Sequence, residues 1–341
     1  MQFRNIVDKS RISQSSLFLI LPIMVFIFSF VIGHHSISLT TVINILAARV
    51  LPIDPTWPPM LEQVIYQVRL PRIIAAMLVG AGLSAAGAAF QGVFRNPLVS
   101  PYILGVSSGA GFGAALAILL ADNIVMVQIS ALFFGILAVV LTYGISSVYK
   151  SAPTLVLILS GVIVGSFFSA LLSLLKYLAD PYEKLPSIVF WLMGSLANVN
   201  SNSLLTLGPI LVIAVSLLVV MGWRINVLSM GEEEALSFGV NTHRERAIIV
   251  VLCTIITAIA VCLTGIIGWV GLVIPHICRM LVGPDYRKVI MASISIGACY
   301  LLIIDDLARA LTSLEIPLGI LTALLGAPFF AYLIMKNKVG W

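Results

Sequence analysis

"RLPRIIAAMLVGAGLSAAGAAFQ", residues 69–91, carries both of its charges in the first four positions and is otherwise apolar almost to its end. About 20 such residues cross the hydrocarbon layer of a bilayer as a helix. The run is rich in Leu, Ile, Ala and Gly and lacks the alternation of a barrel strand. In lipid each backbone N–H and C=O must be satisfied inside its own segment or a closed sheet, so this stretch reads as a transmembrane helix.

The rest of the chain follows the same rule. Of 341 residues, 60% are hydrophobic and 10% charged, and the mean hydropathy is +1.11. A soluble domain carries about 25% charged residues, so most of this surface meets lipid. Similar runs fall near 17–33, 100–120, 124–148, 153–177, 203–222, 244–264, 269–282, 287–308 and 316–335. With 69–91 they make about ten spans in a single domain, 1–341. The run at 269–282 is short and interrupted by Gly and Pro, which suits a half-span packed within protein. Arg4, Lys9 and Arg11 ahead of the first run imitate a signal peptide, but "GHHS" follows instead of a small-x-small cleavage site, so a retained span is expected. Cys253, Cys262, Cys278 and Cys299 lack C-x-x-C spacing and read as small hydrophobes.

Basic residues set the orientation. With the N-terminus inside, the inner loops and helix ends hold Arg4, Lys9, Arg11, Arg95, Lys150, Arg224, Arg244, Arg246, Arg279, Arg287, Lys288, Lys336 and Lys338. The outer side holds Arg49, Arg69, Arg72, Lys176, Lys184 and Arg309. That imbalance predicts both termini in the cytoplasm. The long outer segments are then 34–68, broken at "LPIDPTWPP", and 178–202, whose "FWLMGSL" is apolar enough to dip into the interface or cap a cavity.

Several chemistries drop out. Gly105, Gly109 and Gly113 recur every four residues, as do Gly161 and Gly165, which is helix packing in lipid and not a dinucleotide loop. No lysine follows a glycine, so the phosphate-cradling loop is missing and an ATP-driven process needs a separate ATPase. There is no H-E-x-x-H, and His34-His35 has no nearby carboxylate, so no zinc site is read. Asp305 and Asp306 point about 100° apart on a helix, with Arg309 one turn on as a natural ion-pair partner. Ionisable groups otherwise gather at span ends, which disfavours an ion-coupled transporter.

"GEEEALSFGVNTHRER", residues 231–246, is the exception in a chain this apolar. Glu232, Glu233 and Glu234 stand where a helix dipole favours acid, and Gly239 is placed to end the helix. Ala235, Leu236 and Phe238 give it an apolar side, so a short amphipathic helix is expected within a cytoplasmic segment at about 224–243.

The chain resembles the permease subunit of binding-protein-dependent ABC importers for iron-siderophores, haem and cobalamin (the FecCD type). The blocks that carry the resemblance are "RLPRIIAAMLVGAGLSAAGAAFQGVFRNPLVSPYILGVSSGAG", "GEEEALSFGV", "GIIGWVGLVIPHICRMLVGPDYR" and "DDLARALTSLEIPLGILTALLGAPFF". The resemblance implies an all-α polytopic membrane protein of ten helices working as a homodimer. Two cytoplasmic ATPase subunits would bind ATP and Mg, with no cofactor in this chain, and an extracytoplasmic binding protein would deliver substrate. It implies ATPase coupling through Glu232, Glu233, Glu234, Ala235, Leu236 and Gly239. It implies binding-protein docking at Arg69, Arg72 and Arg309, and a gate at Asn96, Pro97, Leu98 and Thr154. His276 and Arg279 in "PHICR" are family-typical. The substrate class it implies is a metal chelate, with an oxyanion such as molybdate as the alternative.

Overall fold

The computed structural model describes residues 17–33, 37–121, 123–148, 154–312 and 314–336, and among these there is no strand. The helices are α1 (Leu17–Ser29), α2 (Leu39–Ala47), α3 (Pro59–Gln63), α4 (Leu70–Val93), α5 (Val106–Leu120), α6 (Ile124–Ser146) and α7 (Thr154–Leu178). They continue as α8 (Lys184–Met193), α9 (Ser201–Val220), α10 (Gly222–Met230), α11 (Glu232–Ser237), α12 (Thr242–Thr264), α13 (Val270–Val282), α14 (Tyr286–Leu311) and α15 (Leu318–Lys336). A helix occupies each of the ten stretches read as spans. Six are long and apolar enough to cross a membrane: the rod Pro59–Val93, α6, α7, α9, α12 and α14. The apolar helices α1, α5, α8, α13 and α15 are shorter.

The rod around residues 69–91 starts earlier than its sequence suggests. α3 runs through a π-helical turn, Val64–Arg69, into α4 without a break. The cause is Pro71, which has no N–H and crowds the carbonyl one turn back. Widening the turn before it, with the Leu70 N–H reaching Ile65 O, absorbs the proline without ending the helix. A second departure is α10, a separate helix where the sequence showed only the start of a charged segment.

Short polar side chains start many of the helices. Asn123, Asn200 and Asn241 accept from Val125, Ser203 and Arg244 N–H groups at 2.8, 2.8 and 3.0 Å, and Asp285 accepts from Arg287 N–H at 3.1 Å.

Burial divides the bundle into an inner and an outer set. In their most apolar windows the rod and α12 are 78% buried and α14 is 72%, whereas α6, α7 and α9 are 28% buried and keep large apolar faces outward. Lipid supplies little hydrophobic drive between helices, so close approach through small residues holds the inner set. A methyl on Gly80 would overlap the Gly297 carbonyl of α14, and one on Gly87 the Gly271 carbonyl of α13. Of the predicted packing glycines, Gly109 and Gly113 lie on the α6 backbone at Phe134 and Ser130, Gly161 lies on Ile103, and Gly165 faces Gly105. Gly105 itself departs from the expectation of one continuous helix face. It precedes α5 with φ +85°, a left-handed conformation that starts the helix. All four cysteines are buried within this packing.

Candidate functional site

The residues singled out by sequence collect at the two ends of the bundle. At one end, α11 begins after Gly231, whose φ of +145° turns the chain, and it closes in a Schellman motif. The Val240 N–H bonds Ala235 O at 3.0 Å and the Gly239 N–H bonds Leu236 O at 2.9 Å, with Gly239 at φ +73°. Glu232 pairs with Arg246 of α12 at 2.6 Å. That hydrogen bond lowers the Glu232 carboxyl below its ordinary value, and the charges of Arg246, His243 and Arg95 add to the effect. Glu233 and Glu234 share the acidic first turn. Ala235 is fully buried, while Leu236 and Phe238 are 62% and 57% exposed. The apolar side of this helix therefore splits: its alanine faces the protein and its two large residues face away.

The turn after α4 lies at the same end. Asn96 Oδ1 accepts from the Leu98 N–H at 2.9 Å, a local bond that shapes the turn, and Leu98 projects outward at 52% exposure. Arg95, just before, holds φ +50°. Thr154 opens α7, but its side chain lies outside the described residues, as do His34-His35.

At the opposite end the three arginines expected at the docking face are drawn together. Arg69, Arg72 and Arg309 are each about 5–6% exposed and do not face outward. Asp305, wholly buried, takes Arg72 Nη2 at 2.9 Å and lies 3.1 Å from Arg309 Nε. Asp306 accepts from Ser29 Oγ at 2.6 Å and pairs with Arg309. Arg72 Nη1 donates to Glu315 at 3.0 Å, and Arg69 donates to the Phe30 carbonyl. The guanidinium groups of Arg72 and Arg309 thus meet three carboxylates, with Arg69 beside them on the Phe30 carbonyl, and the cluster has little net charge to offer an acidic partner. The physical reason is burial, because a cation withdrawn from water needs an anion beside it. The pairing of Arg309 with the Asp305-Asp306 step was legible in the sequence. The bonds from Ser29 to Asp306 and from Arg72 to Glu315 were not, since each joins residues far apart along the chain.

Beside this cluster lies a cavity of about 830 Å³, lined by Asn123, Gln128, Trp191, Asn198, Thr264 and Glu315 among others. α8 and the segment after it form one wall.

A family model for the FecCD transport family matches residues 20–336. The chain belongs to that family. It is 44% identical over 323 residues to the molybdate import system permease protein MolB of Haemophilus influenzae, covering 94% of this chain and 95% of the relative. It is 40% identical over 278 residues to a probable iron chelatin transport system permease of Helicobacter pylori, covering 82% and 84%. A solved inward-facing structure of a metal-chelate type ABC transporter superposes with TM-score 0.84 at 43% identity, over 94% of this chain and 97% of that one. This FecCD protein is therefore the permease of an ABC importer, multi-pass in the cytoplasmic membrane.

In this FecCD permease His276 packs edge-on to Phe330, with ring centroids 5.7 Å apart, in the interface of α13 and α15. Arg279 lies one turn on and reaches Tyr286 and Gln91, a role the sequence did not disclose.

Proposed function

We propose that two copies of this permease form a channel along their shared axis, each crossing the membrane ten times with both termini in the cytoplasm. α11 sits in a cleft of a separate ATPase that hydrolyses ATP with Mg. The observation that carries the reading is the split face of α11. Leu236 and Phe238, exposed on a helix fixed at both ends, are what a soluble groove would grip. ATP binding draws the two ATPases together, and α10–α11 follow. The turn Asn96–Pro97–Leu98 and the start of α7 at Thr154 open or close the inner mouth.

An extracytoplasmic binding protein delivers substrate at the opposite face. The arginines serve this docking indirectly. With Asp305, Asp306 and Glu315 they hold α1, α4, α14 and the segment before α15 in the shape the partner meets. A direct contact to Arg72 would first have to displace Asp305 and Glu315.

The cargo is a metal chelate, in line with the iron-chelate relative and the metal-chelate structural neighbour. Molybdate is the second reading, favoured by the 44% identity to a molybdate permease across nearly the whole chain. Uptake in proteoliposomes holding the permease, its ATPase and its binding protein separates them, using a radiolabelled ferric siderophore in one arm and molybdate in the other. Uptake of neither, or uptake without ATP, overturns the importer reading for those substrates.

A further inference from the structure

A line of polar contacts runs from α10 toward the turn at 95–98, and the proposed function gives it no role. It begins at Asn226. Its Nδ2 donates to Asp285 Oδ1 at 2.6 Å, and its Oδ1 accepts from the Tyr286 backbone N–H at 2.6 Å. Two bonds from one amide to consecutive residues fix both the distance and the rotation of α10 against the first turn of α14. The Tyr286 hydroxyl accepts from Arg279 Nη2 at 2.8 Å, and the Arg279 guanidinium carbon lies 5.3 Å from the Tyr286 ring centroid. The same nitrogen reaches Gln91 Oε1 at 3.3 Å, while Gln91 Nε2 donates to Leu272 O at 3.2 Å. Gln91 is almost wholly buried and stands four residues before Arg95, where the turn begins.

Packing leaves this line no slack. A methyl on Gly92 would meet Ile225 of α10 at 2.5 Å and the Tyr286 ring at 3.0 Å. Gly222, at the start of α10, lies against Arg287 of α14 in the same way, at 3.1 Å. Apolar faces without such collisions can slide; interlocked backbones joined by directional bonds move together. A separate observation closes the circuit. The Arg95 guanidinium lies 3.7 Å from where a side chain on Gly231 would begin, beside the Glu234 carboxylate. The residue that opens the turn therefore reaches the residue that opens α11.

We propose that Asn226 is a positioning residue that carries displacement of α10 and α11 to the turn at 95–98 through Tyr286, Arg279 and Gln91, with Arg95 as the direct contact between turn and α11. The inference rests on α11 being the grip for the ATPase.

The test uses proteoliposomes with the complete complex and reads substrate taken up per ATP hydrolysed, beside ATPase retention in a pull-down. Asn226→Asp sets a carboxylate against Asp285, and about tenfold less uptake per ATP is expected, the size of coupling typical of such networks. Adding Asp285→Asn restores a donor–acceptor pair and keeps the α14 cap, because Asn caps as well as Asp, so uptake per ATP returns. Gln91→Leu cuts the far end of the line without touching α10 and should reproduce the loss. The relay is overturned if Asn226→Asp and Gln91→Leu both couple as wild type does. It is also overturned if the double variant is no better than the single, or if uptake falls only in proportion to lost ATPase. Should Asn226→Asp fail to fold, the double variant and Gln91→Leu still decide. A wild-type complex that retains no ATPase overturns the grip reading and the relay with it, whereas intact wild-type coupling with unaffected variants overturns the relay alone.

Discussion

The two ends of this permease are held by different chemistry. At the Arg72 end, guanidinium and carboxylate groups are buried against one another across α1, α4, α14 and the segment before α15. At the α11 end, the part-buried bonds come from amides, a hydroxyl, an arginine and backbone groups, and the ion pairs Arg224–Glu245, Arg246–Glu232 and Arg287–Asp285 each keep one partner open to solvent. A buried charge deprived of its partner is costly, so the first arrangement has one stable geometry. A typical hydrogen bond contributes about 1 kcal/mol net, so the second can shift as a unit during a cycle at far smaller cost than separating buried charges. One end is built to stay, the other to move without coming apart.

The sharpest way to break that contrast is Asp305→Ala. It strands Arg72 and Arg309 without their shared anion, and a loss of about 3–5 kcal/mol is expected, read as a large fall in the thermal midpoint in detergent. An unchanged midpoint would mean that water reaches these groups and that the cluster does not hold that end. Gly87→Ala comes next. Its methyl would push α4 off the Gly271 carbonyl, costing about 1–3 kcal/mol by overpacking in the same assay. If it is silent, the inner helices have slack that the close crossing denies.

Much of the fold was legible because a bilayer leaves the chain so few options. Run length and composition located a helix at every expected span, and the acid-first, glycine-last pattern of 231–240 predicted both ends of α11. What stayed hidden depended on distance along the chain. The buried partners of Arg72 and Asp306 could not be read, because Arg72–Glu315 and Ser29–Asp306 join residues far apart along the chain, and only folding brings them within reach. The start of the rod was misplaced because Pro71 between two arginines reads as the opening of a helix, while the π-helical turn that lets it remain inside one has no such signature. α10 was missed because a helix of nine residues beside a charged loop carries little periodicity.

At the α11 end the expected effects are on assembly more than on stability. Leu236→Ala with Phe238→Ala removes side chains that touch little of this chain, so the thermal midpoint should hold. Affinity for the ATPase should fall about tenfold or more, as for anchors at an interface centre. Calorimetry or a pull-down with the purified ATPase reads this directly. Full affinity in the double variant would move the grip away from α11.

The smallest effect expected is the pH response of the α14 cap, and it tests whether the α11 end is as adjustable as its exposure suggests. Asp285 is held down to about 2, first by the hydrogen bond from Arg287 and then by those from Asn226 and the Arg287 backbone. A carboxyl whose folded pKa lies below its ordinary 3.8 contributes stability that is complete above that ordinary value and disappears as pH falls through about 2. Asp285→Asn keeps the cap but cannot titrate, so the wild type should lose stability relative to this variant between about pH 4 and pH 2 and track it above pH 5. Parallel curves across the whole range would mean that Asp285 makes the same contacts in the unfolded chain, and the link between α10 and α14 would then rest on the Asn226 bond to the Tyr286 backbone alone.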